Sequence, residues 1–157
     1  MYDEDSAQLL ATGTCSMHIV HNAIKSFMAS TGWDLEKFMK AAYKLFKDSP
    51  VKRADYTSAS GSTSFPLKFC GQKIFRWLEN VPVAMRLIAI IKDLKKYVQK
   101  AQTDKVMRRR VKGNCRFDTV VVFLSDSRSG LTAAMLPFFI SVSKPLQPLQ
   151  TSPFSSG

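Results

Sequence analysis

Asp34-Leu-Glu-Lys-Phe-Met-Lys-Ala-Ala-Tyr-Lys-Leu-Phe-Lys47 places Leu35, Phe38, Met39, Ala42, Leu45 and Phe46 at intervals of three and four residues. At 3.6 residues per turn those six side chains share one face, so the stretch reads as an amphipathic α-helix. Glu36 and Lys40 stand four apart on the outer face, where opposite charges can pair. Asp34 is placed to cap the helix, and Asp48-Ser49-Pro50 ends it. A helix with one apolar face needs other elements to cover that face, and the flanking sequence supplies them in the same period.

Before it, Met17, Val20, Ile24, Phe27 and Met28 form a second stripe, closed by Thr31-Gly32. After it, Pro50 to Tyr56 reads as a short turn of helix, Thr57 to Ser64 as a Ser/Thr/Gly loop, and Phe65 to Trp77 as an apolar stretch without a regular repeat. A long helix follows, with Pro82 in its first turn and a stripe of Met85, Ile88, Ala89, Ile91, Leu94 and Val98. Phe117 to Leu124 fits helix or strand, because Val120-Val121-Val122 is β-branched. Leu131 to Val142 reads as an apolar helix despite Pro137. The expected fold is mainly α. Residues 1–14 are a flexible N-terminal segment, residues 15–143 a single helical region with a basic loop at about 102–116, and residues 144–157 a disordered Pro/Ser-rich tail.

The 157 residues carry 23 basic and 12 acidic side chains, a net charge of +11. The excess is local: residues 51–116 hold sixteen basic against four acidic groups, while the segments before and after nearly balance. Clustered Lys and Arg suit a polyanion, nucleic acid foremost, since phosphates are neutralised by local rather than average charge. The alternative for the same residues is a solvated face beside a basic loop. Lys92, Lys95, Lys96 and Lys100 form a helical stripe, and Arg108-Arg109-Arg110 is the densest run.

No uncharged apolar run reaches the roughly 18 residues of a membrane span, so no membrane role is expected. The acidic start Tyr2-Asp3-Glu4-Asp5 is unlike a secretory leader, which points to an intracellular protein. Cys15, Cys70 and Cys115 are far apart and odd in number, and are expected to be reduced, small and buried. Cys15 and His18 have a zinc-like spacing, with His21 one turn on, but a structural zinc needs a second ligand pair that neither Cys70 nor Cys115 supplies. No metal, cofactor or small-molecule substrate is expected.

Two short motifs then stand in order: Cys15-Ser-Met-His18-Ile-Val-His21-Asn22 and Arg76-Trp77-Leu-Glu-Asn80. They resemble the C-x-x-H helix and the downstream R-W pair of the ribonuclease-H-like catalytic domain of hAT-superfamily transposases. The similarity extends through Trp33-Asp34-Leu35, Phe46-Lys-Asp-Ser-Pro50 and Asn80-Val-Pro-Val83. The resemblance implies a helical fragment of a ribonuclease-H-like α/β domain, transposase-derived, with Cys15, His18 and Asn22 as structural motif residues. It also implies that Arg76 and Trp77 lie along a DNA path, Trp77 as a base-stacking platform, the alternative for Trp77 being a core tryptophan flanked by Phe75 and Leu78. The family's three metal-binding acids would precede residue 1 and follow the tail, so no catalytic residue is expected. The functional expectation is an inactive, nuclear protein with nonspecific, salt-dependent binding of DNA or RNA. The competing expectation is a cytoplasmic or nuclear helical scaffold that binds another protein through the helices at 34–47 and 81–101.

Overall fold

The computed structural model describes residues 13–69 and 78–146, with side chains from residue 19 onward. Among the described residues seven α-helices follow one another: α1 Gly13–Ser30, α2 Leu35–Lys47, α3 Pro50–Ser60, α4 Val81–Thr103, α5 Lys105–Val111, α6 Cys115–Leu124 and α7 Ser129–Ser143. Single 3-10 turns at Leu78–Asn80 and Lys144–Leu146 precede α4 and follow α7. Among the described residues there is no strand, so the chain is mainly α and the Val120-Val121-Val122 run is helical. Tertiary packing has overridden its β-branched preference: Phe117, Val120, Phe123 and Leu124 share one buried face against α2.

The predicted stripe of α2 is buried in full, and Phe38, Met39 and Ala42 have no exposed surface. Lys40 pairs with Glu36 at 2.5 Å as the spacing requires. Asp34 does not cap through its side chain. It adopts a left-handed conformation (φ 54°, ψ 36°), and its carbonyl accepts from the Phe38 N–H. Asp tolerates that backbone region better than most residues. The α1–α2 turn is made by Gly32 (φ 66°) and Asp34 together.

α4 is the hub, touching α2, α3, α5, α6 and α7. Its buried face is Val83, Ala84, Leu87, Ile90, Leu94, Tyr97, Val98 and Ala101. The sequence-derived stripe therefore needs correction in its first half: Met85 is 51% and Ile88 37% exposed, and Ala89 is also exposed. At 100° per residue Met85 and Ala89 fall in line with Lys92, Lys96 and Lys100, and charge decides which side meets water.

Three further expectations change. α3 continues through Thr57 to Ser60, because Ser49 caps it by accepting from Lys52 N–H (3.3 Å) and Gly61 (φ 74°) provides the left-handed exit. The basic loop at 102–116 is not a loop. Asp104 and Asn114 each accept two backbone N–H groups and start α5 and α6, while Met107 and Val111 bury the inner face of α5. Cys115 is exposed in the first turn of α6 rather than buried. α1 begins at Gly13, two residues earlier than expected, and Lys144–Leu146 are ordered into a turn. The remainder of the two predicted terminal segments lies outside the described residues.

Aromatic rings hold the layers together. Phe38 stacks on Phe123 at 4.9 Å, joining α2 to α6. The Arg128 guanidinium lies 4.0 Å from the centre of the Phe123 ring and donates to the Trp33 carbonyl at 2.8 Å. Thr132, fully buried, donates to the Phe123 carbonyl at 2.6 Å and fastens α7 to the end of α6. Beneath α4, Phe46, Tyr56 and Tyr97 form a three-ring cluster with centroids 5.2–6.0 Å apart.

Candidate nucleic-acid interface

The fold sorts the basic residues into two groups. Four arginines are bonded within the fold. Arg53 donates to the Phe46 and Lys47 carbonyls at the α2–α3 corner. Arg86 donates to the Phe65 carbonyl at 3.1 Å, and Arg128 holds Trp33 as described. Arg110 forms an ion pair with Asp55 at 2.6 Å, tying α5 to α3 across 55 residues of sequence. Asp55 is 7% exposed, so the guanidinium stands in for the water its carboxylate has lost. Arg110 is thus engaged by Asp55 on one side while its side chain stays 41% exposed.

The second group faces water. On α4, Lys92, Lys96 and Lys100 follow one another four residues apart, about 6 Å per step along the axis, and all are exposed. Lys95, on a neighbouring row, reaches Asp126 at 3.6 Å. Asp126 is fully exposed, so this pair contributes little and leaves the lysine available. On α5, Lys105, Arg108 and Arg109 occupy positions i, i+3 and i+4, opposite the buried Met107 and Val111. Lys112 and Arg116, also exposed, extend the charge into the next turn. Apart from Lys95, none of these cations is paired with a described residue. Residues 92–116 carry ten basic and two acidic groups.

Sequence reasoning located the lysine stripe and the Arg108–Arg109 pair but missed Lys105 as their partner. The signal was present in the i, i+3, i+4 spacing, and was lost by treating 102–116 as a loop. Asp55 as the partner of Arg110 had no sequence signal, because nothing local connects the two.

Between these rows Asp104 is a helix cap. Asp104 accepts from Val106 and Met107, and the Met107 N–H foremost holds its carboxyl below the usual carboxylate range. Tyr97 lies beneath the lysine row with no exposed surface. Burial, reinforced by the nearby charge of Asp55, pushes its phenol well above the ordinary value of 10.0, and burial likewise raises Tyr56. A phenol held neutral in the fold but free to ionise when unfolded stabilises fully below about pH 10. That stability is lost as pH rises beyond it, for Tyr97 by up to about 1.4 kcal/mol per pH unit. Denaturant melts from about pH 9 to about pH 11 should show this decline, and a Tyr97→Phe variant should show a shallower one.

Arg76, Trp77, Cys70, and the side chains of Cys15 and His18 lie outside the described residues. Asn22 is exposed on α1, and His21 is buried at 3% exposure. Among the described residues no three His, Cys, Asp or Glu side chains gather where a metal could be held, and no helix is long and apolar enough to cross a membrane. No family model, curated protein or solved structure matches this chain.

Proposed function

We propose that this protein binds nucleic acid nonspecifically through the outward faces of α4 and α5, without catalysis of its own. The observation that carries the reading is the pair of rows, Lys92-Lys96-Lys100 and Lys105-Arg108-Arg109, exposed on successive helices and unpaired with any described residue. Side chains of this kind neutralise phosphates and release counterions. Sequence-specific recognition would need groups that reach or stack on bases. Tyr97 of α4 and Phe117 in the first turn of α6 are buried, and α5 carries no aromatic residue, which favours binding to the phosphate backbone alone.

Descent from a hAT-type transposase domain of ribonuclease-H-like fold belongs to the same proposal, supported by the Cys15-x-x-His18 and Arg76-Trp77 motifs, with the helices as the retained part. So does a nuclear location, for which Arg108-Arg109-Arg110-Val-Lys112 is a suitable short basic run. In-line phosphodiester attack needs carboxylates convergent on divalent metal, and the described acids are scattered or used as helix caps. Supercoiled plasmid incubated with the protein and magnesium should remain intact, and chelator-sensitive nicking would overturn that part.

The binding itself is tested by salt titration on duplex DNA. Log affinity should fall linearly with log salt, and replacing Arg108 and Arg109 by alanine should lower the slope by about 1.8, that is about 0.9 for each phosphate no longer neutralised. A slope unchanged in the double variant, or binding insensitive to salt, would make the basic rows a solvated surface.

A further inference from the structure

Outside the basic rows, α4 and α7 leave a shallow apolar groove between them, lined by Ile88, Pro137 and Ile140, with Lys144 at its edge. The two helices run in opposite senses: Lys95 of α4 reaches Asp126 just before α7, whereas Ile88 meets residues near the end of α7. Met85, half exposed, continues the apolar surface one turn before Ile88. An apolar channel between two antiparallel helices has the shape that takes the apolar face of a third.

Charge specifies that third helix. Lys144 lines the groove, and Lys92, outside the lining, is exposed one turn after Ile88 on α4. No Asp or Glu lines it. We infer that the groove docks an acidic amphipathic helix of a partner protein, leucine-type residues on Ile88 and Ile140 and carboxylates toward Lys144 and Lys92. A basic helix would bring like charges together at both lysines and be rejected. The groove shares Lys92 with the lysine row of α4 but includes no residue of α5, so failure of docking and failure of nucleic-acid binding are read by different variants, Ile88→Glu and Arg108→Ala/Arg109→Ala.

The test is fluorescence anisotropy of the full-length protein with a dye-labelled peptide of about 15 residues, leucines at helical spacing and glutamates between. Saturable binding is expected, weakened about tenfold or more by Ile88→Glu and by Lys144→Glu. Arg108→Ala/Arg109→Ala should leave it unchanged within about twofold. Ile88 is already partly exposed, and circular dichroism of Ile88→Glu should match the parent. Binding retained when the leucines become serine, or indifferent to Ile88→Glu, would overturn the inference in favour of charge alone. Ile88-dependent binding to phosphatidylserine vesicles without binding to the peptide would assign the surface to lipid. A self-association abolished by Ile88→Glu would assign it to a second copy. Either result overturns the inference.

Discussion

Phe38→Ala should destabilise the protein by about 4 kcal/mol, the cost of deleting a fully buried aromatic side chain together with the cavity it leaves. For a chain of this size that corresponds to a fall in melting temperature on the order of 10 °C. The position has no exposed surface, and its ring stacks at 4.9 Å on Phe123, which is itself 2% exposed. The loss therefore extends beyond the area of one residue. Phe123 would lose its stacked neighbour while keeping Arg128, and Arg128 also bonds the carbonyl of Trp33 at the α1–α2 turn. Phe38→Leu, which refills most of the volume, should recover more than half of the loss. Thermal melts of the two variants check the result, and a Phe38→Ala protein melting within a few degrees of the parent would mean that α2 and α6 do not pack through this pair.

α2 was legible because its six apolar residues lie on one face, with Glu36, Lys37, Lys40, Lys44 and Lys47 marking the opposite side. α4 was less so. Its first half is apolar on two sides, and periodicity alone accepts Met85-Ile88-Ala89 as readily as Val83-Ala84-Leu87. The deciding information lies downstream, where Lys92, Lys96 and Lys100 continue the row through Met85 and Ala89 and carry it into water. The segment at 102–116 was misread for a different reason. Met107 and Val111 are a single i, i+4 pair, too few to show a period among so many cations, while the caps that start α5 and α6, Asp104 and Asn114, were readable at the ends. What no local reading reaches is pairing over distance. Arg110 was grouped with its two neighbours as one run of charge, although each successive residue on a helix turns through about 100° and Arg110 flanks the buried Met107–Val111 face on the side where Asp55 meets it. On the proposed reading, adjacent arginines would have different roles.

Arg110→Ala should accordingly behave unlike Arg108→Ala/Arg109→Ala. Removing the guanidinium leaves the Asp55 carboxylate 7% exposed, beside the buried Tyr97, with its partner gone. Breaking a fully buried pair costs roughly 3–5 kcal/mol, and since the Arg110 side chain is 41% exposed the loss here should be nearer about 2 kcal/mol. The melting temperature should fall by about 4–8 °C. The double variant, whose side chains touch nothing described, should melt within about 1–2 °C of the parent. In DNA titrations the order reverses: the double variant lowers the salt slope, whereas Arg110→Ala, assayed well below its melting temperature, leaves it near the parent value. A combined Asp55→Asn/Arg110→Ala variant should regain part of the stability, because the stranded charge is then gone. If Arg110→Ala instead melts with the parent and flattens the slope, the arginine serves phosphate rather than Asp55, and the partition of the basic residues between fold and surface must be redrawn.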